Sequence, residues 1–220
     1  MRLRCDLIAR PGPPFVLPPM FPPLLALILA YPLLAHLAIW LHAPILQWAA
    51  LTLLVATSMY DALRHGRVWA WIVLVVAGAA LSQLVMLGGG IYAMYLPPVL
   101  LPLAMLALFA NTLRKDSVPL VTRYAQAMRG PLPPELARYT GRVTMLWCVA
   151  FGVLCASGLG FALFASRDLW SFVTNIVHYV ALGALFLVEY LYRRIRFRHL
   201  THPGFVAYVR KLLSTPIKSV

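Results

Sequence analysis

The chain has 220 residues, 62% of them hydrophobic and 11% charged, with a mean hydropathy of +0.81. A water-soluble domain of this length turns most of its surface to solvent and cannot bury so large an apolar fraction, so the composition points to lipid as the solvent. The formal charge of +13 then fits basic loops beside anionic headgroups; no aromatic-basic module accompanies it, and no nucleic-acid partner is expected.

Residues 1–20 are proline-rich, and no small-residue cleavage site follows their apolar run. They read as a disordered cytoplasmic leader rather than a secretory signal, with Met20 as an alternative start. Six apolar runs near the length that crosses a bilayer follow, at about 24–41, 43–60, 68–87, 91–110, 143–165 and 169–191. The connections at His42, Gly88–Gly90 and Ser166–Asp168 are very short, whereas those at 61–67 and 111–142 are longer and basic. Placing the short connections on one side puts 18 of the 19 Lys and Arg on the other, with Arg167 the exception, beside Asp168. By the positive-inside rule both termini are then cytoplasmic.

The expected fold is therefore all-α: a polytopic bundle of six transmembrane helices in three hairpins, with short amphipathic helices on the cytoplasmic side. Residues 21–192 form the membrane domain, including the loop 111–142, and 193–220 form a basic tail. Gly152, Ala156 and Gly160 in span five, and more weakly Gly78 and Ser82 in span three, make small-residue stripes that let a neighbouring helix approach. Pro32 in span one and Pro97, Pro98 and Pro102 in span four are expected to kink or loosen their helices. Cys5, Cys148 and Cys155 form no CxxC motif, and the last two, seven residues apart, share a helix face as small hydrophobes.

On the cytoplasmic side, "PLVTRYAQAMR" (119–129) places Leu120, Val121, Tyr124, Ala127 and Met128 on one helical face, with Arg123, Gln126 and Arg129 on the other. Pro119 suits a first helical turn. That is the pattern of a basic amphipathic helix on the inner leaflet. Residues 131–142 restart a helix into span five, with Glu135 near Arg138. In the tail, 204–213 repeats the amphipathic pattern with Phe205, Val209 and Leu212. Arg123, Arg129, Arg138, Arg193 and Arg194 are the candidates for docking an acidic partner or anionic lipid.

Polar residues inside apolar spans are costly and so point to function. Glu189 sits four residues before Arg193 near the end of span six and reads as a paired interfacial anchor. His36, Gln83, Asn175 and His178 fall at comparable depth in the outer half, with Gln47, Ser82, Tyr92 and Tyr95 nearby. They form either a polar site (a headgroup cavity, a proton relay, or a metal or haem held by His36 and His178) or a set of hydrogen bonds between helices. No GxSxG, Walker, GxGxxG or HExxH motif and no metal-spaced Cys/His cluster occurs. No catalytic residue, metal or cofactor is assigned.

Five stretches, "YPLLAHLAIW" (31–40), "YLPPVLL" (95–101), "TLRKDSVPLVTR" (112–123), "LPPELARYTGRVTMLW" (132–147) and "EYLYRRIRF" (189–197), together resemble a family of small bacterial inner-membrane proteins. Genes of that family sit in clusters for fatty-acid-synthase-like assembly of aryl polyene pigments and related envelope lipids. The resemblance runs from about residue 20 to 213. Members sometimes carry the label ketosynthase, but Cys148 and Cys155 lie in an apolar helix without a neighbouring base, unlike a nucleophilic cysteine. The back half also looks faintly like intracellular septation protein A. The resemblance implies a non-catalytic accessory or scaffold in envelope lipid or polyene assembly, with an acidic partner such as an acyl carrier protein. Two other readings stay open. One is a small-molecule or lipid transporter using the outer polar cluster and a mobile span four. The other is a membrane-embedded lipid-modifying enzyme with His178 as general base.

Overall fold

The computed structural model describes residues 21–115 and 117–198; of the side chains in that range, those of 21–25, Ile28, Met128 and Arg129 are not described. The leader, the alternative start at Met20 and the amphipathic tail segment lie outside the described residues. Every regular element among the described residues is helical: α1 (Phe21–Trp40), α2 (Pro44–Ser58), α3 (Tyr60–Arg64), α4 (Val68–Met86), α5 (Gly90–Asn111), α6 (Leu120–Arg129), α7 (Pro134–Phe164), α8 (Arg167–Phe172) and α9 (His178–Arg196). One π-helical turn, Val173–Val177, joins α8 to α9 without a break.

Four of these helical stretches are long and apolar enough to cross a membrane: α4, α5, α7, and the continuous run Arg167–Arg196. They coincide with spans three to six of the sequence reading. The first two expected spans form shorter apolar stretches, Leu29–Trp40 within α1 and the whole of α2. Large apolar side chains point outward along the bundle; on α4 alone Val68, Trp69, Trp71, Ile72, Val75 and Val76 are exposed. Such a surface is stable against lipid tails and unstable against water.

Three of the hairpin turns use one device. At each, a residue with positive φ follows the helix: His42 (51°), Gly66 (64°) and Gly88 (77°). Its N–H bonds the carbonyl three residues back, and the next N–H reaches five residues back, as in Ala43 N–H to Ala38 O (3.1 Å) and Gly89 N–H to Leu84 O (2.8 Å). These paired bonds satisfy carbonyls that a helix end leaves without partners. Two of the three sites carry glycine, for which the left-handed conformation is cheap; His42 adopts it against the usual penalty.

The helices pack closely because small residues line the contacts. Ala35, Ala38 and Ala50 are fully buried in a core completed by Tyr31, Ile39, Leu51, Met94 and Trp170. The Trp48 indole donates to Gly78 O (2.8 Å), and Gly78 is buried, with Thr52 of α2 at an ordinary contact distance. The most extensive pairing is α5 with α7. Pro102 has no N–H to offer the carbonyl of Pro98 one turn earlier. Gly158 of α7 packs on that carbonyl so closely that a Cβ there would lie 3.4 Å from the oxygen.

The small-residue stripe read from the sequence is corrected here. Nothing lies within 4 Å of where a Cβ would stand on Gly152 or Gly160, and Ala156 is exposed. The buried face of α7 runs instead through Thr140, Val143, Thr144, Phe151, Leu154 and Gly158. Spacing identified small residues but not the direction in which they face.

The turns make a prediction about stability. A Cβ at Gly88 meets no atom within 4 Å. Gly88→Ala should therefore destabilise only through its backbone, by about 1 kcal/mol, and His42→Gly should stabilise by no more than that. Thermal unfolding of the detergent-solubilised variants checks both signs.

Candidate functional site

The polar residues of span six gather at the π turn. A π turn is under-wound, and the His178 N–H bonds Val173 O, five residues back. Two side chains of this turn bond carbonyls of the turn before it. Thr174 Oγ1 donates to Trp170 O (2.8 Å), and Asn175 Nδ2 donates to Ser171 O (3.1 Å). Asn175 Nδ2 also lies 3.3 Å from Ser171 Oγ and 3.4 Å from Thr174 Oγ1. Ser171, Thr174 and Asn175 are all buried. The turn thus carries its own small network, and one helix face is enough to build it.

Two histidines attach this network to other helices. His36 Nδ1 of α1 is 3.0 Å from Ser171 Oγ, and its ring lies 6.0 Å from that of Phe172. His178 Nε2 is 3.0 Å from Ser157 Oγ of α7. Each imidazole is turned to a serine on a different helix, so α1, α8 and α7 are joined through the widened turn. Trp170, one residue before Ser171, is buried and lies edge-on to Tyr95 at 4.4 Å between ring centroids.

His36, Asn175 and His178 thus come together around one turn. Gln83 does not join them. It is exposed on α4, which packs on α2, α3 and α5. Gln47 places its Oε1 against Gly90 at the start of α5, and Tyr92 faces outward. Ser157, Ser171 and Thr174 went unread. Ser171 stands four residues before Asn175, and that spacing was the available signal. Among the described residues, no three His, Cys, Asp or Glu side chains converge as a metal-ion site.

The basic end of the bundle is organised differently. Glu189 is buried and accepts from Tyr139 OH (3.2 Å), while Arg193 Nη2 lies 3.4 Å from its other oxygen. The pairing read from the sequence is present, and Tyr139 of α7 adds a bond across the helix interface. Of the basic candidates, Arg123 turns back to donate from Nε to Val118 O (2.8 Å), Arg193 holds Glu189, and Arg138 and Arg194 are exposed. Arg129 ends α6, and its side chain is not described.

α6 is an amphipathic helix as expected, but Pro119 caps it from outside rather than opening its first turn. Its buried face is also shifted: Leu120 and Thr122 are buried, whereas Ala127 is exposed. Threonines cause the shift. Leu120 N–H donates to Thr112 Oγ1 (3.0 Å), Val121 N–H to Thr144 Oγ1 (3.2 Å), and Thr122 and Thr140 share a 2.8 Å hydroxyl bond. These bonds fasten α6 to the end of α5 and to α7. Beside them the α7–α9 junction leaves a concave surface that Arg138, Arg142 and Arg196 line.

Comparison of the chain with protein-family models, with curated proteins and with solved structures yields no match.

The His36–Ser171 bond can be isolated by a double-mutant cycle with His36→Ala and Ser171→Ala. Interhelical bonds of this kind in membrane proteins average about 0.6 kcal/mol, so that coupling is the expected outcome. Additivity within about 0.3 kcal/mol in unfolding measurements would remove the bond from the account of the fold.

Proposed function

We propose that the chain is a six-span protein of the bacterial inner membrane with both termini in the cytoplasm. On this reading it is a non-catalytic accessory protein of envelope lipid or polyene assembly, and it docks an anionic partner at its basic end. One observation carries the proposal. His36, Ser171, Asn175, His178 and Ser157 are hydrogen-bonded to one another or to the backbone around the π turn, whereas the open, charged concavity lies at the end where arginines gather. His36 and His178 each lie within bonding distance of a serine on another helix, so both serve as links in the bundle.

The six-span topology draws support from the same chain. α2 has 15 residues, about 22 Å of helix, and α3 extends it after a single-residue break at Met59. Together they approach the thickness of the hydrocarbon core. The basic residues Arg64 and Arg67 then fall on the side of Arg138, Arg142 and Arg196, in keeping with the positive-inside rule.

Mass spectrometry of lipids and pigments from a deletion strain tests the role. The strain is complemented with wild type, with His36→Ala/Asn175→Ala/His178→Ala, or with Arg138→Glu/Arg142→Glu, each at equal membrane abundance. The expected pattern is rescue by the triple alanine variant and failure of the charge reversal. The opposite pattern would move the function to the π turn and favour transport or catalysis there.

A further inference from the structure

The start of α7 and the end of α9 enclose a cleft of 230 Å³ at the basic end of the bundle. Arg138, Arg142 and Arg196 line it, against the single carboxylate of Glu135. Among the described residues no carboxylate lies within salt-bridge distance of any of the three guanidiniums. Its floor is aromatic. Tyr139 stacks on Tyr192 at 5.8 Å and meets Phe197 edge-on at 5.2 Å, and the Arg196 guanidinium lies 5.6 Å over the Phe197 ring.

A second cavity, of 370 Å³, shares Tyr139, Arg142 and Tyr192 with the first and continues along the helices toward the hydrocarbon. Its further lining is Val143, Leu146, Leu185 and Val188. It runs about 10 Å along both helix axes. Leu146 and Val188 are exposed, so the groove opens sideways to lipid. Glu189 reaches this groove, but its carboxylate is held by Tyr139 and Arg193.

We propose that this joined cleft binds one glycerophospholipid, with its phosphate among Arg138, Arg142 and Arg196 and an acyl chain along Val143, Leu146, Leu185 and Val188. The order of the surfaces selects this occupant. A cationic mouth leads into aromatic hydroxyls and then into an apolar groove, and a phospholipid presents the matching sequence of phosphate, glycerol and chain. A soluble phosphate would leave the groove empty. Three guanidiniums against one carboxylate favour an anionic headgroup over a zwitterionic one. The inference rests on the membrane reading above and on the basic end as the docking surface; it does not depend on the accessory role in lipid assembly.

Native mass spectrometry of the full chain in detergent, titrated with phosphatidylglycerol or phosphatidylcholine, tests it. Wild type should retain one phosphatidylglycerol in preference to phosphatidylcholine. Arg142→Gln should weaken phosphatidylglycerol retention about fivefold, and Arg138→Gln/Arg142→Gln/Arg196→Gln should abolish the preference. Leu185→Trp, which fills the groove and leaves the arginines in place, should weaken both lipids. Glycerol phosphate in millimolar excess should displace neither. Equal retention of the two lipids by wild type overturns the proposal, as does an unchanged preference in Arg142→Gln, the variant least able to disturb folding. Displacement by glycerol phosphate would mark a soluble-phosphate site and overturn it too. Lipid retention is read on purified protein, so its failure is separate from failure of the complementation experiment.

Discussion

A polar group placed between lipid-facing helices has no water to bond, and each unmet N–H or O–H there costs several kcal/mol. Ser171, Thr174, Asn175 and His178 meet that constraint by bonding within one widened turn and to its neighbours. The arrangement of the bundle follows. α1 approaches α8 where His36 finds Ser171, and α7 approaches α9 where Ser157 finds His178. The threonines of α7 repeat the solution near the other end, where Thr140 and Thr144 take the hydroxyl and backbone groups of α6. A helix that could have floated on the membrane surface is thereby fastened to the bundle.

The two ends of the molecule differ in what they leave open. Around the π turn Ser171, Thr174, Asn175 and His178 are buried and hydrogen-bonded, and Trp170 packs edge-on to Tyr95. At the basic end rings close the interface between α7 and α9, and beside them Arg138, Arg142 and Arg196 line an open cleft. Tyr139 belongs to both worlds: its hydroxyl fixes the buried Glu189, and its ring forms the floor of the cleft. The same contact that anchors α9 shapes the cleft that Arg138, Arg142 and Arg196 line.

Much of the architecture was legible because punctuation and periodicity are local. His42 and Gly88 marked tight turns, and the apolar runs from Val68 onward coincide with the helices found. The Glu189–Arg193 pair was legible for the same reason, since i,i+4 neighbours meet on any helix. The π turn was not legible. "VTNIV" holds no proline or glycine, and its extra residue shows only in backbone bonds. Gln83 lies on a helix face turned outward, because position along a span says nothing about rotation around it. The same ambiguity hid Gly158, whose role depends on a carbonyl freed by a proline on another helix. Tyr139, Arg142, Tyr192 and Arg196 lie on two helices far apart in sequence, and only their packing brings them to one cleft.

The contact between Gly158 and the Pro98 carbonyl sets a size limit at the centre of the bundle. A Cβ at position 158 would stand 3.4 Å from that oxygen and 3.7 Å from the Val99 side chain, at the near edge of ordinary contact. Anything longer than a methyl group would have to push α5 away from α7. The most extensive helix pairing in the molecule thus depends on one position that carries no side chain.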